Sequence, residues 1–187
     1  MRAASTVRSL TASRAFYLFL GVVLIGLVLA RWVEALGGPA GIWGRFGWLA
    51  PALTVPCHAF IAVTPLPSDL VSIANGAVYG FWGGAGFNWL GWFIASFFQY
   101  GIGRRVRHDF DVEGWVARSP AWLQRFPADH PVFIIGVRFV PYAGGHIATL
   151  VPAAMGVTLR RFVWCTAIAL VPSSLVMAGI GAGLLLL

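Results

Sequence analysis

Pro131-Val-Phe-Ile-Ile-Gly-Val-Arg-Phe-Val-Pro-Tyr-Ala-Gly-Gly145 holds one arginine, Arg138, in an apolar stretch that proline and glycine break immediately afterwards. The mirror case lies upstream in Thr64-Pro-Leu-Pro-Ser-Asp-Leu-Val71, where Asp69 follows one apolar run and precedes another. A charge at the middle of a bilayer costs roughly 2.5–3.5 kcal/mol on insertion scales. One charge of each sign beside helix breakers is therefore a pattern with a use, and function is sought there.

The surrounding composition makes the membrane reading firm. Of 187 residues, 59% are hydrophobic and only 10% are charged, with a mean hydropathy of +0.81. Soluble domains carry about 25% charged residues. All 13 basic residues are arginine, which excludes the lysine of a P-loop, a Schiff-base lysine and a Ser-x-x-Lys nucleophile pair. The net charge of +7 does not point to nucleic acid, because the arginines sit between apolar segments and form no stripe with aromatic platforms. They fit the cytoplasmic flanks of membrane spans. Cys57 and Cys165 stand apart in apolar surroundings and read as small buried hydrophobes. His58, His108, His130 and His146 have no metal-ligand spacing, so neither a metal nor a cofactor is expected.

Along the chain, Arg2, Arg8 and Arg14 precede the apolar run Ala15–Ala30, and Arg31, Trp32 and Glu34 follow without a clear cleavage site. That predicts an uncleaved first span. Gly37-Gly-Pro-Ala-Gly41 reads as a break, with Trp43, Arg45 and Trp48 as an interfacial anchor. Residues 70–103 carry no charge. As one helix they would reach roughly 51 Å against a hydrocarbon core of about 30 Å, yet two spans need about 40 residues. One full span plus a half-length piece fits best. The break is placed within Asn75–Gly84, which leaves Ala85–Gly103 as the span and Trp48–Tyr79 as a re-entrant hairpin turning near Pro65-Leu-Pro67.

Arg104, Arg105 and Arg107 mark a cytoplasmic end. Residues 108–130 then place Val112, Trp115 and Val116 at helical spacing, followed by Trp122, Leu123 and Phe126, as an amphipathic segment on the inner leaflet. Pro131–Leu159 repeats the first pattern, with its turn at Pro141–Gly145. Arg160 and Arg161 return the chain to the cytoplasmic face. Phe162–Leu187 forms a last span with Pro172 as a candidate kink and Gly179, Gly181 and Gly183 for close helix contact. The expected fold is all-α and integral to the membrane. It has two oppositely oriented re-entrant hairpins, about three full transmembrane helices and the cytoplasmic amphipathic segment. Residues 1–47 make the basic tail, first span and linker, and residues 48–187 make one membrane domain. An inverted pseudo-repeat of this kind places a site near the midplane.

Irregular backbone survives at membrane depth only when it is buried in protein or lines a wet cavity. The two turns are therefore expected to meet, bringing Asp69 within reach of Arg138. The competing readings are a plain helix N-cap at Ser68-Asp69 and an Arg138 that snorkels to the interface. Asn75, Asn88, Gln99, His58 and His146 are the other polar groups at membrane depth. Asn88 and Gln99 are expected to join helices. His146 sits in the second turn and is the candidate for titration near neutral pH. The candidate substrate or ion site thus comprises Asp69, Arg138, His146, Asn75, Pro65, Pro67, Pro141, Gly144 and Gly145.

Pro65-Leu-Pro-Ser-Asp-Leu70, followed by Ala74-Asn-Gly-Ala-Val-Tyr-Gly-Phe-Trp-Gly-Gly84, resembles the first conserved block of the DedA membrane proteins of the VTT, or SNARE-associated Golgi protein, superfamily. Gly101-Ile-Gly-Arg-Arg105 resembles the Gly-Arg end of their central span. Arg138-Phe-Val-Pro141, Pro152-Ala-Ala-Met-Gly156 and Phe162 resemble their second block. The likeness covers about residues 48–182. It implies two opposed re-entrant hairpins and lipid work: bacterial relatives are implicated in moving polyprenyl phosphates, and eukaryotic relatives scramble phospholipids. Asp69 matches an acidic position and Arg138 a basic one. The chain departs from the pattern twice. The upstream second acid has no equivalent, His58 being the nearest polar residue, and Gly144-Gly145-His146 replaces a second arginine. Both departures mark a divergent branch.

The function expected on these grounds is movement of phospholipid or a lipid-linked phosphate carrier between leaflets of a bacterial inner membrane. The amino terminus is then cytoplasmic, and membrane lipids, with protons, are the partners. A homo-oligomer is compatible with the sequence; a nucleic-acid partner is not expected. The alternatives are a proton- or cation-coupled small-solute transporter and a non-catalytic membrane-organising protein. An enzyme is not expected, since no paired carboxylates, nucleophile–base set or metal cluster stands out.

Overall fold

The structure is a computed structural model that describes residues 14–64, 66–118, 124, 127–140 and 144–183. Among the described residues every regular element is helical. They are α1 (Arg14–Ala35), α2 (Gly38–Phe46), α3 (Ala50–Val63), α4 (Asp69–Asp109), α5 (Val112–Ala117), α6 (Pro131–Gly136), α7 (Gly144–Ala154) and α8 (Leu159–Gly181), with short 3₁₀ turns at Gly47–Leu49 and Val137–Phe139. Among the described residues two stretches are long and apolar enough to cross a membrane, Gly38–Val63 and Leu159–Gly181. The chain divides into two compact units. One holds Val22–Phe97 and residues 166–183; the other holds Phe98–Cys165 and residues 14–21.

In the 22–97 unit the break expected over Gly37–Gly41 is confined to Gly37 and Gly38, at φ 84° and 70°. Helix α2 already begins at Gly38, because Pro39 lies in its first turn, where a missing N–H costs nothing. Trp43 and Arg45, expected as an interfacial anchor, lie on this helix. Helix α3 ends at Thr64, whose backbone is extended. Its hydroxyl donates to the Ile61 carbonyl at 2.6 Å and accepts from the Leu66 N–H at 3.2 Å. One side chain thus occupies orphan groups at a helix end in place of the missing ladder bonds.

Helix α4 begins at Asp69, and its amides pick up again with Ser72 N–H to the Ser68 carbonyl. Within it, Gly80 has φ 72° and ψ 178°, a conformation essentially reserved for glycine. There the chain reverses. Trp92 Nε1 donates to Ser68 Oγ, and Asn88 Nδ2 donates to the Ser72 carbonyl. Gly84 lies so close to Gly76 that a Cβ on it would fall 2.6 Å from the Gly76 Cα. These pairs are centred on residue 80, so the two limbs, 69–79 and 81–97, run antiparallel. The break expected somewhere in residues 75–84 is thus a single-residue hinge.

Limb 69–79 also pairs with α3. Thr54 Oγ1 lies 3.1 Å from the Tyr79 hydroxyl, and His58 Nε2 lies 3.2 Å from Ser72 Oγ. Early positions of α3 meet late positions of the limb, so these arms form an antiparallel helical hairpin. At about 21 Å and 16 Å, both arms are shorter than a hydrocarbon core of about 30 Å. Helix α8 closes on the same limb. Gly76 abuts the Ala178 backbone and Gly181 abuts Ile73 and Ala77, contacts that any side chain would obstruct.

In the 98–165 unit, the end of α4 packs on α7 and the loop after it. The Tyr100 hydroxyl donates to the Val157 carbonyl at 2.7 Å, and its ring lies 4.7 Å from that of Phe162. Gly103 sits against Leu150 and Ala153. Helix α6 is only six residues long, with Pro131 in its first turn and the His130 Nδ1 accepting from the Val132 N–H. The amphipathic segment is helical over Val112–Ala117; Trp122, Leu123 and Phe126 lie outside the described residues.

Candidate functional site

The proposed site residues fall in different units and different environments. Asp69 is the first residue of α4 and is exposed, and Pro67 before it is exposed as well. Pro65 and Pro141 lie outside the described residues. An acidic group in the first turn of a helix is stabilised by the unpaired N–H groups and positive dipole end there. Asp69 therefore has a local reason to be where it is.

Arg138 is the middle residue of the Val137–Phe139 3₁₀ turn and is half-buried. Its Nη2 donates to Thr149 Oγ1 at 3.1 Å, and that hydroxyl donates in turn to the Gly145 carbonyl at 2.9 Å. The threonine has one proton, given to Gly145, and lone pairs left to accept from the guanidinium. Thr149 itself is fully buried. Gly144 is buried with its Cα so near the Val137 and Arg138 carbonyls that a Cβ would strike them. This is why the second turn needs glycine at 144: the backbone carrying the arginine and the backbone of α7 are in direct contact. His146 is half-buried on α7, one turn before Leu150. Arg138, Gly144, Gly145 and His146 thus belong to one local arrangement, with Thr149 as the member that sequence reading missed. Threonine is common in apolar helices, and only its place after the Gly-Gly pair singles it out.

The 22–97 unit has a polar centre of its own. His58, Ser72, Asn75 and Asn88 are all fully buried. Asn75 Nδ2 donates to Asn88 Oδ1 at 2.9 Å, and Asn88 Nδ2 donates to the Ser72 carbonyl at 2.9 Å. Ser72 Oγ donates to the Ser68 carbonyl, so it accepts from the His58 Nε2–H. The other ring nitrogen, Nδ1, faces Gly91, where a Cβ would approach to 2.6 Å. His58 Nδ1 and Asn75 Oδ1 have no hydrogen-bond partner among the described residues. Asn75 was grouped with the charged pair as a candidate ligand. It is placed instead at the crossing of the two α4 limbs, joined to Asn88, which was read correctly as a helix-joining group.

Among the described residues no group of three or more His, Cys, Asp or Glu could hold a metal ion. Among the described residues the exposed ion pairs include Arg161 with Asp129 at 2.8 Å and Arg31 with Glu34 at 3.4 Å.

The family model of the VTT domain matches residues 66–183, from just before α4 to the end of α8. No curated protein and no solved structure matches the chain.

Proposed function

The chain belongs to the VTT domain family, and on that premise we propose that it is a multi-pass membrane protein that moves a lipid or lipid-linked phosphate carrier between leaflets. Arg138 is the group that holds the phosphate. The observation that carries this reading is the Arg138–Thr149–Gly145 chain, which fixes a guanidinium within an apolar sequence. A guanidinium offers five donors in a rigid fork suited to phosphate oxygens. Keeping such a charge at membrane depth costs several kcal/mol on most scales. A phosphate paired with that charge returns part of the cost whenever substrate is bound.

In this reading the chain breaks that follow α3 and the Val137–Phe139 turn belong to re-entrant hairpins. The arginine distribution supports an orientation in a bacterial inner membrane with the amino terminus in the cytoplasm. Proteoliposomes carrying a fluorescent phospholipid or labelled polyprenyl phosphate test the proposal. Protein-dependent loss of leaflet protection against a membrane-impermeant quencher is expected for at least one of them. Rates equal to those of empty vesicles for both lipids, from folded protein, would end the lipid reading.

A further inference from the structure

The 98–165 unit contains a cavity of about 420 Å³ lined by Arg104, Arg107, His108 and Asp111. This lies within the roughly 300–1,000 Å³ typical of small-ligand pockets. One of its cations is held in place by the fold. Arg107 is half-buried, and its Nη1 donates to the Ala154 carbonyl at the end of α7 at 3.3 Å. The guanidinium lies over Gly156, whose φ of +86° is a backbone conformation that favours glycine.

The remaining lining sets the sign of the ligand. Arg104 is exposed, and His108 Nδ1 lies 3.7 Å from Asp109 Oδ1. Asp111 is the only acid on the wall among the described residues. Its carboxylate accepts from the Gly114 N–H at 3.2 Å and lies 3.9 Å from Arg118. Two guanidiniums therefore face one carboxylate that a third arginine already offsets. The cavity also has a definite place in the sequence, because Arg104 is the first charged residue after the uncharged run 70–103. The first charges after a membrane-length apolar run sit at headgroup level, where basic pockets meet anionic lipids.

We propose that Arg104, Arg107 and His108 form a binding site for the phosphate of an anionic lipid headgroup, separate from Arg138. The two guanidiniums take the phosphate oxygens, and Asp111 disfavours ligands that lack a hydroxyl donor beside the phosphate. A soluble phosphate ester offers the same chemistry from a different source. The site does not depend on lipid movement and stands or falls independently of it.

The experiment uses the full chain in vesicles of equal parts phosphatidylcholine and phosphatidylglycerol, with co-extracted lipid measured by native mass spectrometry. Arg104→Gln with His108→Gln alters exposed side chains and leaves Arg107 on Gly156, and Arg31→Gln serves as a charge-matched control elsewhere. Phosphatidylglycerol affinity is expected to fall about tenfold or more in the double variant and to be unchanged in the control. Calorimetric titration of the detergent-solubilised protein with glycerol phosphate and with inorganic phosphate identifies the source. Weak or silent binding of both, alongside lost lipid retention, assigns the headgroup. Tight soluble binding abolished in the double variant assigns the same phosphate site to a soluble ester and overturns the lipid source. Equal lipid retention in wild type and double variant, with phosphate binding also equal or absent, overturns the site altogether.

Discussion

The break at residues 64–69 and the break at residues 137–145 carry the same signature, an apolar arm, proline or glycine, and a charge. They solve different problems. At the first, Thr64 stops one helix with its own hydroxyl and Asp69 opens the next, exposed on its first turn. At the second, the arm is a six-residue helix and a 3₁₀ turn, and Arg138 is drawn inward to a buried threonine. An acid at a helix start is already served by the backbone. A guanidinium in an apolar turn is not, and needs an acceptor built for it. The second break is therefore the one that carries the proposed phosphate site, while the buried Asn75 and Asn88 near the first break are hydrogen-bonded across the two limbs of α4.

That contrast can be broken at several points. Asn88→Ala removes the acceptor for Asn75 and the donor to the Ser72 carbonyl, leaving both partners buried. Equilibrium unfolding in mixed micelles should show a loss of roughly 2–4 kcal/mol, and an unchanged midpoint would mean that the limbs of α4 are joined otherwise. Thr149→Val leaves one guanidinium donor without its acceptor, for a loss of about 1.5–3 kcal/mol. It should also slow lipid movement, and slowed movement at undiminished stability would mark Thr149 as a positioning group alone.

Gly80→Ala forces a Cβ into a conformation that costs of order 1–3 kcal/mol. Asp69→Asn removes a charge from a helix start and should cost only about 0.3–1 kcal/mol. Unfolding measurements on both variants fix the low end of the series. A loss of several kcal/mol at Asp69 would contradict its placement as an exposed helix-start charge.

Much of this was readable from the chain. Membrane character, helical content and a break within Gly37–Gly41 followed from composition and from where the charges, glycines and prolines fall, and the family from the motifs around Asp69, Gly101 and Arg138. The hinge at Gly80 was bracketed but not located. Residues 76, 80, 83 and 84 are all glycine, and only coordinates separate the residue that needs a positive φ from those that need closeness. Gly76 and Gly84 serve contact, and Gly80 serves conformation. Asn88 was read as helix glue because an amide at membrane depth must find a partner. Asn75 was grouped with the ligand-binding set because its partner lies 13 positions away across a reversal that periodicity does not reveal. The link from Arg138 to Thr149 was hidden for the same reason. The Arg107 cavity was hidden because arginines after an apolar run look alike until one is found held over a glycine.

The most direct test of the central claim is the rate of leaflet exchange of a fluorescent phospholipid or polyprenyl phosphate in proteoliposomes, compared among wild type, Arg138→Lys and Arg138→Gln at matched protein incorporation. A phosphate held by the Arg138 fork predicts a fall of at least about tenfold for the glutamine variant, with partial activity for lysine, which keeps the charge but not the planar donors. Exchange as fast in Arg138→Gln as in wild type would contradict it.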